Sequence, residues 1–95
     1  MIAEAFDKKK TTNEKIAEEL EKIKRQLIYK NDCYGDSLQN PLGVFQKDKM
    51  QGILGRIDDK LNRIKAVGIN DNTEDSISDL IGYFIHLKIM LNESK

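Results

Sequence analysis

The chain lacks most of what marks a secreted, membrane-spanning or nucleic-acid-coating protein. Its 95 residues hold one cysteine, Cys33, so no internal disulfide is possible, and the lone thiol suits a reducing compartment. No apolar run approaches the roughly 20 residues of a membrane-spanning helix, and no signal peptide is visible at the N-terminus. An excess of one charge is missing too, since 16 Lys and Arg balance 16 Asp and Glu. A protein that coats DNA or RNA carries a basic surplus, so the balance argues against that class. A small anion needs only a local cluster of cations and stays open. There is no Gly-rich phosphate loop, no Cys/His zinc spacing and no Ser/His/Asp nucleophile arrangement. Internal repeats and low-complexity segments are absent as well. A cytoplasmic protein with neither membrane nor nucleic-acid partners is expected.

What is present is helical patterning in a chain long enough for one domain. So short a chain buries a modest core, and self-association is a common remedy. Residues 1–10 read as a flexible or short helical N-terminus and 11–95 as a single helical domain. The first helix begins at a capping box, Thr11-x-x-Glu14. Ile16, Leu20, Ile23 and Leu27 then form one narrow, coiled-coil-like seam. Glu14, Glu18, Glu21 and Arg25 lie opposite it, with Glu18–Lys22 and Glu21–Arg25 as i,i+4 pairs. Gly35, Pro41 and Gly43 break the periodicity and make 33–47 a loop. That loop is long for this chain, and long loops are often functional. Tyr34, Leu38, Leu42, Val44 and Phe45 imply that part of it folds back on the core.

The second helix spans about Asp48 to Ala66, with Met50, Ile53, Leu54, Ile57, Leu61 and Ile64 as its apolar stripe. Gly68 and the Asn70–Asn72 turn close it. The third begins at Asn72 or Thr73, with Glu74 and Asp75 in its first turn. Its core stripe is Ile77, Leu80, Ile81, Phe84, Lys88 (through its aliphatic stem) and Leu91. Ile85, Leu87, Ile89 and Met90 widen this surface, so the helix should be buried on two sides or form an oligomer interface. The expected fold is all-α: three main helices in a small bundle, a long loop between the first two, completed by homo-oligomerisation.

Two polar stripes flank this core. Arg56, Lys60 and Arg63 fall at i, i+4 and i+7 of the second helix, spread over about 10 Å. Such a row can grip a phosphate chain, Arg supplying the planar fork. With Asp59 three after Arg56 and four before Arg63, the spacing taken alone favours a salt-bridge ladder over that grip. Asp75, Asp79, Gly82 and His86 share a face of the third helix. They can hold a divalent cation or pair with the cationic row, and pairing is the preferred arrangement. Gly82 lets a backbone or ligand come close, and Tyr34 can stack on a base or simply pack.

Three motifs in this order, Tyr34-Gly35-Asp36-Ser37, Arg56-x-x-Asp59-Lys60-x-x-Arg63 and Asp75-x-x-x-Asp79 leading to Tyr83, resemble the nucleotide modification associated domain found widely in bacteriophages. The resemblance covers Tyr34 to Met90. It implies an all-helical protein akin to MazG-type nucleotide pyrophosphatases, which hold magnesium with Glu-x-x-Glu and Glu-x-x-Asp pairs. Glu18-x-x-Glu21 matches the first pair in letters but points away from the seam. Asp75 and Asp79 depart from the second, with Ser76 standing three before Asp79. The expectation is a protein that binds a phosphorylated nucleotide or nucleotide-derived signal without turnover or cofactor, through Tyr34, Arg56, Lys60, Arg63, Asp75 and Asp79. In a phage setting it would sequester a host immune signal in the host cytoplasm. The alternative is a magnesium-dependent nucleoside triphosphate pyrophosphatase, with Glu18, Glu21, Asp75 and Asp79 as ligands.

Overall fold

The computed structural model describes residues 9–95, which form α1 (Thr12–Cys33), α2 (Lys49–Val67), a 3₁₀ turn (Asp71–Thr73) and α3 (Glu74–Glu93), with no strand. The expectation for the N-terminal segment lies, over 1–8, outside the described residues. The capping box closes as its sequence implies: the Thr11 hydroxyl accepts from the Glu14 N–H at 3.1 Å, and Glu14 accepts from the Thr11 N–H at 3.3 Å. After α1, Gly35 and Asp36 take left-handed conformations (φ 62° and 59°), which glycine and aspartate tolerate better than other residues. The chain reverses there, and the Asp36 N–H returns to the Asn31 carbonyl at 3.0 Å. Asp48 caps α2 by accepting from the Met50 and Gln51 N–H groups at 2.9 and 3.2 Å.

The α2–α3 corner is pinned by Thr73, which is fully buried. Its hydroxyl donates to the Gly68 carbonyl at 2.9 Å and accepts from the Asn70 N–H at 3.0 Å. Asn70 in turn accepts from the Asn72 N–H at 2.8 Å. The polar cap therefore sits two to three residues before the start read from the sequence, and a short 3₁₀ turn precedes the α-helix.

The core is the interface of this helical hairpin: Ile53 and Ile57 of α2 against Leu80 and Met90 of α3, with Met50, Ile64, Tyr83, Leu87 and Leu38 at its edges. Leu38 and Gln39 are loop residues that fold back, Leu38 onto the core and Gln39 onto α3. Leu42 and Phe45 are 97% and 100% exposed and Val44 is also exposed, contrary to the sequence reading. The α3 stripe is corrected as well. Ile77, Phe84, Lys88 and Leu91 face solvent, and the buried side carries Ser76, Leu80, Gly82, His86 and Met90. A helix apolar nearly all round gives its period no power to choose a face. On α2, Leu54 and Leu61 are exposed. On α1, Ile23 is buried and Leu27 half-buried, whereas Ile16 and Leu20 are 52% and 57% exposed. The expected i,i+4 pairs of α1 do not close: Glu18 takes Lys10 at 2.5 Å and Lys22 takes Glu19 at 3.4 Å. The molecule measures 63 × 33 × 26 Å, with a radius of gyration of 17.4 Å, against about 12 Å for a compact domain of this length. Residues 12–22 of α1 are exposed throughout, so its first three turns rest on nothing described.

Candidate functional site

The C-terminal half of α1 approaches α3 where α3 has no side chain. A Cβ on Gly82 would stand 2.9 Å from Leu27 Cδ1, so the end of the Leu27 side chain fills the space that glycine leaves on α3. Around this crossing lies a cavity of about 350 Å³, walled by Ile23, Leu27, Leu38 and Tyr83 and edged by Lys30, Tyr34, Arg56, Lys60, Asp79 and His86. A second, more open hollow of about 550 Å³ shares Gln26, Lys30, Lys60, Ser78 and Asp79 with it and adds Arg63, Asn72 and Asp75. The two form one continuous cleft, with an apolar end under Tyr34 and a polar end beside Arg63. A cavity of this size lies within the range of small-molecule sites.

The residues singled out from sequence all meet here. Tyr34, Arg56, Lys60 and Asp79 line the apolar end, and Arg63 and Asp75 join Lys60 and Asp79 at the polar end. Placement follows from helical period: Arg56, Lys60 and Arg63 lie on successive turns of α2, facing Asp79 across the hairpin. Lys30 was missed. It stands three residues after Leu27 and seven after Ile23, on the edge of the α1 seam, and that spacing was the available signal. Gln39 was also missed, and no local pattern marks it.

The anticipated pairing of the stripes is realised at one position. Asp79 accepts from Lys30 Nζ at 2.9 Å through Oδ1 and forms an ion pair with Lys60 Nζ at 3.2 Å through Oδ2, joining all three helices. Burial pushes the Asp79 carboxyl up, but the two lysine hydrogen bonds outweigh it and hold the group below its ordinary value. Lys30 is raised, first by its hydrogen bond to Asp79, with burial opposing. Among the described residues, Arg56 and Arg63 have no carboxylate partner, and Asp59 forms no ladder with them. The charged lining of the cleft is thus four cations, Lys30, Arg56, Lys60 and Arg63, against two carboxylates, Asp75 and Asp79. In a chain of zero net charge this is a local positive field.

His86 is buried at the base of the apolar end. Its Nδ1 lies 2.9 Å from Gln39 Nε2. Burial pushes its pKa below the ordinary value, with the Asp36 carboxylate opposing.

The carboxylates required for a magnesium cage do not assemble. Glu18 is tied to Lys10, Glu21 is exposed, and neither lines the cleft. Among the described residues no three His, Cys, Asp or Glu side chains converge on a metal-sized site. Asp79 is already paired with two lysines. The residues present do not fit the four-carboxylate arrangement. No helix of the described residues is long and apolar enough to cross a membrane. No family model, curated protein or solved structure matches the chain.

Proposed function

We propose that the cleft captures a phosphorylated nucleotide or nucleotide-derived signal and does not turn it over. The observation that carries this reading is the pair of guanidinium groups, Arg56 and Arg63, which have no carboxylate partner among the described residues and flank Lys60 along a cleft with aromatic and aliphatic groups at one end. Guanidinium forks suit phosphate oxygens, and Lys30 and Lys60 add charge from two helices. The surrounding carboxylates serve the cations: Asp79 positions Lys30 and Lys60, and Asp75 stands at the polar rim, within reach of sugar hydroxyls. Tyr34, exposed at the mouth, offers a face on which a base can stack.

The motif resemblance to the phage nucleotide modification associated domain supports the same ligand class. In that setting the protein acts in the host cytoplasm and withdraws a nucleotide immune signal. Homo-oligomerisation would cover the apolar residues left open on α1 and the outer side of α3, including Ile16, Leu20, Phe84 and Leu91. A pyrophosphatase needs Glu18 and Glu21 beside Asp79, and the geometry favours capture instead.

The test is a thermal-shift screen of the wild type and of Arg56→Ala/Arg63→Ala with nucleoside triphosphates, cyclic nucleotides and ADP-ribose-type nucleotides, with and without magnesium. Stabilisation of the wild type by one class, lost in the double variant, is the expected result. Equal shifts in both proteins contradict the assignment.

A further inference from the structure

The apolar end of the cleft contains a polar group whose hydrogen-bonding sense is fixed by its neighbours. Gln39 comes from the loop after α1 and reaches under α3. Its Oε1 accepts from Lys49 Nζ at 3.4 Å, which turns the Nε2 end of the amide toward α3. Nε2 donates to the His86 carbonyl at 3.2 Å and stands 2.9 Å from His86 Nδ1. An ammonium has no acceptor, and an amide nitrogen is donor only. The chain of bonds therefore runs in one direction, and His86 Nδ1 must be the acceptor. Its proton then sits on Nε2.

That second nitrogen has no hydrogen-bond partner among the described residues, yet no buried polar side-chain atom there is left unpaired. Nε2 is accordingly not fully enclosed, and the cavity that His86 lines is the end of the cleft under Tyr34. The same cavity is lined by Leu27, Leu38, Tyr34 and Tyr83 and by the neutral polar residues Asn31 and Ser37, and its one carboxylate, Asp79, is already paired with two lysines.

From this we infer that His86 is a specificity-determining donor: its Nε2–H reads a hydrogen-bond acceptor, a carbonyl oxygen or ring nitrogen, on the base of a nucleotide whose phosphates lie toward Lys60 and Arg63. This rests on the nucleotide-capture reading and deepens it. The ligand class becomes a nucleotide entering base first, and its affinity has two separable parts. A buried donor left without its acceptor weakens binding by about tenfold or more. Gln39, though it never touches the ligand, positions the donor by holding Nδ1.

The test compares inorganic tripolyphosphate with ATP, CTP, GTP and UTP by isothermal titration against the wild type, His86→Phe and His86→Gln. The wild type should bind at least one nucleotide more tightly than tripolyphosphate. His86→Phe should weaken that nucleotide about tenfold and leave tripolyphosphate unchanged, and His86→Gln, whose amide still donates, should lose less. Tripolyphosphate binding with no gain from any base, or a nucleotide affinity indifferent to His86→Phe, overturns the inference and leaves the phosphate reading standing. No binding of any probe overturns both. Imidazole ¹H–¹⁵N NMR on the wild type covers the case of a variant that does not fold. The expected signal is an Nε2–H tautomer whose resonance moves on nucleotide addition, and an Nδ1–H tautomer overturns the inference.

Discussion

The α2–α3 hairpin and helix α1 are held in different ways. The hairpin closes on Ile53, Ile57, Leu80 and Met90, with Thr73 locking its corner. Among the described residues, helix α1 buries only Ile23, crosses α3 at Gly82 and has one ion pair to the hairpin, Lys30–Asp79. Apolar burial fixes the first unit, whereas a narrow contact and a polar tether fix the second. The cleft lies along the seam between them. A ligand that touches Lys30 and Tyr34 on one side and Lys60 and Arg63 on the other therefore adds contacts where the fold has fewest, and by mass action it stabilises the docked state.

The sharpest way to break this contrast is inside the hairpin. Ile53 is completely buried, and Ile53→Ala should cost about 2–5 kcal/mol, read as a lower urea midpoint. A loss under 1 kcal/mol, roughly what a well-tolerated core swap gives, would mean that the hairpin is not the stabilising unit. At the crossing, Gly82→Leu should push α1 away, costing about 1–3 kcal/mol and abolishing ligand-induced thermal shifts. Gly82→Ala should be close to neutral, because its methyl meets the mobile end of Leu27 while the helix gains about 0.8–1 kcal/mol.

At the tether, Asp79→Asn should cost no more than about 1 kcal/mol, since Lys30 is half-exposed and solvent screens the pair. Acid should act on both units with the same sign. His86 has a folded pKa below its ordinary 6.5 and Asp79 below its ordinary 3.8. In both cases the unfolded chain binds the proton more readily, so stability falls as pH drops. The first decline begins below about 6.5 and should flatten in His86→Gln; the second begins below about 3.9 and should flatten in Asp79→Asn. Melting temperatures at stepped pH check both. The smallest effect should come from Ile16→Ser/Leu20→Ser on the open half of α1, within about 0.5 kcal/mol for a surface site. The same change should lower the assembly mass by light scattering if these residues face another copy.

Much of this arrangement was legible in the residues. Thr11, Asp48 and Gly68 mark helix ends by local chemistry, which needs no knowledge of the rest of the chain. The cationic row of α2 and the Asp79 face of α3 follow from helical period, and both reach the cleft. The side of α3 that is buried was not legible, because Ile77, Phe84 and Leu91 compete with Leu80, Leu87 and Met90 on hydrophobicity alone. Only the hairpin geometry set by Thr73 and Asn70 chooses between them. Lys30 and Gln39 owe their places to tertiary contacts, one across the α1–α3 crossing and one from a loop to His86. The exposure of Leu42, Val44 and Phe45 departs from the expectation that apolar loop residues pack inward, and nothing described covers them.

The most direct measurement of the central claim is mass spectrometry of the ligand after binding. Protein is incubated with the nucleotide that gives the largest thermal shift, in magnesium, then washed and denatured. The account predicts recovery of the intact nucleotide in proportion to protein, with little recovered from Arg56→Ala/Arg63→Ala. Release of pyrophosphate or monophosphate by the wild type would contradict it.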